Sequence, residues 1–117
     1  MRRMSFALTT AQVRARTKTV TRRFGWQCAR PGMLLAACER TMGFRRGEKA
    51  PPPIAVIRVV STRWEPLSAV TDEDVALEGF PGRTAGWFLA FLCGHSGKLP
   101  RAVVNRIEFT YEEDTAP

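Results

Sequence analysis

Residues 54–60, IAVIRVV, decide how this chain folds. Five of the seven are β-branched and only Arg58 is polar, so the run predicts a central strand of a sheet. On its N-terminal side, GFRRGEKAPPP (residues 43–53) carries two glycines and three prolines and is read as a mobile, wet polar loop. Before it, Arg30-Pro31-Gly32 marks a turn leading into a buried strand, Met33 to Glu39. Lys18 to Phe24 is Thr/Val-rich and alternating, which predicts another strand. Met4, Phe6 and Leu8 alternate in the same way, and Thr9 or Thr10 can cap a short helix over Ala11–Ala15.

On the C-terminal side, Thr71-Asp72-Glu73-Asp74 has a capping threonine with acids in the first turn, the start of a helix that Gly79 and Pro81 end soon after Glu78. Thr84 caps a second helix, whose Trp87, Phe88 and Phe91 share a core-facing side. Val103 to Tyr111 alternates and closes the chain as a strand. About five strands and two or three short helices make an α+β domain. With strands at the start, middle and end, a curled sheet or small β-barrel with the helices packed around it is the expected architecture.

The chain has 117 residues and 44% hydrophobic content, which fits one domain with a modest core. No apolar run approaches the roughly 18–20 residues of a membrane span. Met-Arg-Arg at the start is not followed by the apolar stretch of a signal peptide, so a cytoplasmic location is expected. Cys28, Cys38 and Cys93 are an odd number with no Cys-x-x-Cys pair, which fits reduced thiols. Phosphate-loop, Rossmann, nucleophile-elbow and paired-carboxylate metal motifs are absent.

The net charge of +7 is uneven: residues 1–30 hold eight Arg/Lys and no acid. At the centre of that region lies RTKTVTRRFGW, residues 16–26, with four cations and two aromatics. Such a patch attracts polyanions, and a nucleic-acid phosphate backbone is the commonest partner. Lys18, Thr21, Arg22 and Arg23 read either as a wet strand with its cations outward or as the wall of a site. In a site, Lys18 beside the Thr21 hydroxyl is a base–nucleophile pair, and the arginines can fork a phosphate. Residues 18 and 21 point to opposite faces of a regular strand, so both serve one pocket only if Lys18 precedes the strand. Glu78, at a helix C-terminus whose dipole disfavours an acid, is either solvent-exposed or paired with a cation such as Lys18. His95 is a helix-end cation or a pocket-lining group. Its Cys93-x-His95 spacing lacks the partner cysteines of a zinc site, and no metal is expected. Trp26, next to Gly25 and the basic stretch, is the better base-stacking candidate, and Trp87 belongs to the core.

In order along the chain stand Lys18-Thr19-Val20-Thr21-Arg22-Arg23, Arg30-Pro31-Gly32-Met33-Leu34, the β-branched strand, Thr71 to Pro81, Phe88 to His95, and Ile107-Glu108-Phe109. That order resembles the ASCH (activating signal cointegrator homology) domain of the PUA-like superfamily, over roughly residues 5–112. The Cys-x-His after the aromatic helix is similar to small actinobacterial and phage members. The resemblance implies a small PUA-like barrel that binds RNA, single-stranded nucleic acid or a modified nucleoside in a basic cleft. There Arg16, Lys18, Arg22, Arg23, Trp26 and His95 would form the binding surface. It also implies, as an alternative, an N(4)-acetylcytidine amidohydrolase with Lys18, Thr21 and Glu78 as its triad, needing no cofactor. A ribonuclease is the weaker alternative. The family signature Gly-x-Lys-x-x-Glu-x-Arg keeps Lys18 and Arg23, while Arg16 stands for its Gly and Thr21 for its Glu.

Overall fold

A computed structural model describes residues 1–112. In chain order its elements are β1 (Arg2–Ser5), α1 (Thr10–Arg14), β2 (Val20–Arg23), β3 (Leu34–Cys38) and β4 (Ala55–Pro66). A single 3-10 turn, Leu67–Ala69, then leads to α2 (Asp72–Leu77), α3 (Ala85–Ser96) and β5 (Val103–Tyr111). The strands form one mixed sheet in the order β1-β3-β4-β5-β2, in which only the β1–β3 pairing is parallel. The IAVIRVV run thus lies on the middle strand, as its composition requires. β4 continues six residues further than the apolar run, because Ile57–Pro66, apart from the bulged Val60, pairs with β5 across a register shift between Val59 and Ser61. Beyond that bulge its side chains are polar or exposed, so no hydrophobic pattern marks it.

The expected barrel does not close. β1 and β2, four residues each, are the two edges of the sheet and do not pair with one another. The segment joining them carries α1, whose Val13 is buried in the main core. The first strand also ends earlier than its alternation suggests. Phe6 N–H still donates to Cys38 O at 2.8 Å, but the chain then turns, and Leu8 is exposed.

Two of the three expected side-chain caps form. Thr71 Oγ1 accepts from Asp74 N–H and Asp74 returns a bond to Thr71 N–H, a complete capping box. Thr84 Oγ1 accepts from Trp87 N–H. Thr9 occupies the N-cap of α1 without a side-chain bond. The main core joins Met4, Phe6, Leu35, Ile57, Val59, Ile107 and Phe109 across the sheet, and Phe88 with Val75 centres a smaller cluster between α2 and α3. Burying each such large side chain contributes roughly 1.5–3 kcal/mol. Trp87 and Phe91 are only half-buried and stack on each other at 5.1 Å. In the 43–53 loop, Glu48 accepts from Arg40 and from Arg45 N–H, and Arg3 donates to Pro51 O.

Candidate functional site

Between the unpaired edges opens a cleft of about 400 Å³. One side is aromatic, with Phe6, Phe80, Phe91 and Trp26. The polar side brings Lys18, Thr21, Arg23 and Glu78 together, and His95 stands at the rim. Arg16 is not among the lining residues. Its guanidinium lies 5.0 Å over the Tyr111 ring and Nη1 donates to Val13 O.

Local geometry explains how Lys18 and Thr21 reach one space. α1 ends at Arg14, and Arg16 adopts φ +63°, the left-handed conformation that glycine takes most easily. This is the position at which the ASCH signature carries glycine. The turn places Lys18 before β2, where strand alternation does not apply. Thr17 and Lys18 N–H donate to Gln12 O, Thr19 N–H donates to Leu77 O, and Tyr111 OH donates to Lys18 O. The backbone around Lys18 is therefore clamped by α1, α2 and β5.

Lys18 Nζ donates to Glu78 Oε1 at 2.7 Å and to Glu78 O at 2.9 Å. Both side chains are buried. The same ammonium thus serves the carboxylate and an orphan carbonyl at the end of α2, which answers why an acid is tolerated there. Burial pushes the Lys18 amine below its usual 10.5. Glu78 opposes that shift, and the Arg23 and Arg22 charges add to it.

Arg22 does not offer the phosphate fork expected of it. Nη1 donates to Glu78 Oε2 at 2.9 Å, while Nη2 is 2.8 Å from Asp74 Oδ2 and 3.2 Å from Glu65 Oε2. The reason is sheet geometry: Arg22, Arg106 and Arg63 are paired neighbours across β2, β5 and β4 and share one face. Three adjacent cations need counter-charge, and Asp74 binds Arg106 at 3.0 Å while Glu65 binds Arg63 at 2.8 Å. Burial raises the Asp74 carboxyl. Hydrogen bonds from Arg106 and Thr71 N–H, with the Arg22 charge, outweigh it and hold Asp74 below its usual 3.8.

Arg23, one residue on, faces the other way. Nε donates to Thr21 Oγ1 at 3.0 Å and the guanidinium covers the Phe6 ring at 4.7 Å. Burial lowers its pKa to about 10, against the attraction of Glu78. Trp26 takes φ +58°, rare for a bulky residue. Its carbonyl accepts from Asn105 Nδ2 and Ala29 N–H, and Arg2 lies 5.0 Å over its ring. His95 is exposed, with its ring 4.7 Å from Phe91. Among the described residues no group of three or more His, Cys, Asp or Glu is placed to hold a metal. Sequence reasoning missed Phe6, Phe80, Asn105 and the acids Glu65 and Asp74 as parts of this site. A threonine–acid helix start flagged Asp74, but for capping alone.

A five-stranded mixed sheet with an inter-edge cleft defines the class: this is an ASCH-domain fold. The backbone superposes on an ASCH domain from Lactobacillus crispatus JV V101 with a TM-score of 0.58 at 15% identity, over 89% of this chain and 70% of that one. It also superposes on a DUF984 protein from Enterococcus faecalis V583 with a TM-score of 0.55 at 16% identity, over 84% of this chain and 63% of that one. No family model and no curated protein matches the sequence. Among the described residues no helix is long and apolar enough to cross a membrane.

Proposed function

We propose that this protein binds RNA or another single-stranded nucleic acid, or a nucleotide, by taking one base into the cleft. The observation that carries the reading is the cleft itself: one aromatic side and one side of buried, hydrogen-bonding groups, in a volume that suits a nucleoside. The ASCH fold supports it in general terms. Binding of a labelled single-stranded RNA, followed at several salt concentrations, tests it. Log affinity falls with log salt, and Phe91→Ala weakens binding by about 1–3 kcal/mol through lost stacking. A flat salt response together with an unaffected variant sinks the reading.

A second reading, an amidohydrolase on N(4)-acetylcytidine, is favoured by the Lys18–Glu78 pair, which lines the same cleft as Thr21. Thr21 Oγ1 accepts from Arg23, so its own proton is free to leave. The hydroxyl adds to the acetyl carbonyl as neutral Lys18 takes that proton. Lys18 returns it to the departing cytidine amine, and water then frees acetate from Thr21. Because Lys18 must be neutral to act, its lowered pKa helps, and turnover rises with pH until the amine is deprotonated. Lys18→Ala abolishes deacetylation, followed by chromatography of the nucleoside; unchanged turnover ends this second reading.

A further inference from the structure

The cations that line the cleft are not equivalent. Lys18 is bound to Glu78, and Arg22 to three carboxylates. Arg23 is different: among the described residues no carboxylate lies within 4.0 Å of it. Its hydrogen bonding there is confined to Nε on Thr21 Oγ1, and one face of its guanidinium lies on Phe6. The terminal pair Nη1 and Nη2 is left uncommitted in a partly buried residue that lines the cleft.

A partly buried arginine with no carboxylate within 4.0 Å among the described residues gains from an oxyanion that accepts from both terminal nitrogens. We infer that Arg23 is a phosphate subsite, and that the cleft takes a phosphate-bearing nucleotide unit in preference to a bare nucleoside. This rests on the reading that the cleft holds a base, and it adds what the base is attached to. The aromatic side takes the base, Phe6 and Thr21 fix the plane of the fork, and Nη1 and Nη2 receive the phosphate oxygens. Burial lowers the Arg23 pKa more than Glu78 raises it, and a bound phosphate would raise it further.

The test is calorimetric titration of the whole chain with the four ribonucleosides, their 3′- and 5′-monophosphates, inorganic phosphate and a short single-stranded RNA. A nucleotide is expected to bind at least about tenfold more tightly than its nucleoside, as a charge-assisted pair supports. Arg23→Met, whose side chain still covers Phe6, loses that preference. A gain for free monophosphates identifies a terminal phosphate, and a gain for the RNA alone identifies a strand diester; either supports the subsite. Equal affinity for nucleoside and phosphorylated forms overturns it and leaves base binding standing. A preference that survives Arg23→Met also overturns it. If no nucleoside, nucleotide or RNA binds, the base-binding reading falls and the subsite with it. Should Arg23→Met fail to fold, the wild-type nucleoside-to-nucleotide comparison still decides.

Discussion

Lys18 gains its character from partners far along the chain. Its ammonium is buried against Glu78, sixty residues away, and burial makes the protonated form costly despite that pairing. The folded pKa lies below 10.5, so the unfolded chain binds more protons between the two values, and stability rises with pH across that window. Removing one partner leaves the other short of charge. Lys18→Met is therefore expected to cost about 2–4 kcal/mol in urea denaturation, somewhat less than a fully broken buried pair because Arg22 still holds Glu78. Lys18→Met with Glu78→Gln should cost less than the two single changes summed; strict additivity would mean that the pair is not coupled. Asn105 acts through Trp26. Its Nδ2 bond fixes the left-handed Trp26 carbonyl, while its Oδ1 is buried with no hydrogen-bond partner among the described residues. Asn105→Ala thus loses one bond and one unsatisfied atom, so the melting temperature changes little. Tryptophan fluorescence shifts and cleft affinity falls, because the strained Trp26 carbonyl is then held by Ala29 N–H without Asn105.

At the scale of elements, α2 ties the arginine face to the cleft. Asp74 closes the capping box, binds Arg106 and meets Arg22, and Glu78 ends the same helix on Lys18. Asp74→Asn is expected to destabilise by about 3 kcal/mol, since buried guanidinium charge is left short of compensation. The Asp74 contribution is present above pH 3.8 and is lost as pH falls through its lowered folded value. The acid-unfolding curve of Asp74→Asn therefore starts lower and is flatter than that of the wild type. Gly79 sets how α2 meets α1. It has φ +103°, and a Cβ there would lie 2.7 Å from Gln12 Cγ and 2.8 Å from Gln12 Cβ. Gly79→Ala forces α1 away and disturbs Lys18, whose turn hangs from Gln12 O; a loss of about 2 kcal/mol or more in thermal unfolding is expected. Much of this level was legible in sequence. Thr71 with Asp74, Thr84 ahead of the aromatic helix, and the Val103–Tyr111 alternation are short-range signals, and each marked a real element. The polar half of β4 was not legible, because its pairing with β5 leaves no apolar period to read.

For the whole molecule, β5 is the strand on which the rest depends. It lies between β4 and β2, and its Ile107 and Phe109 are in the main core. A chain ending at Arg101 strips β2 of its partner and β4 of one of its two, and circular dichroism is expected to show no cooperative melt, where the full chain gives a single transition. The sheet stays open because short edge strands flank a helical connection, and that opening is the cleft. By itself the sequence determined the α+β class, the middle strand, the helix caps and a basic region near residues 16–26, since periodicity, capping and charge are local properties. Tertiary structure alone decided which of those cations are neutralised. Arg22 and Arg23 are adjacent and chemically identical, yet the strand places one against Glu65, Asp74 and Glu78 and the other, among the described residues, within 4.0 Å of no carboxylate. That outcome depends on pleat and on carboxylates more than forty positions away, and no local pattern encodes it.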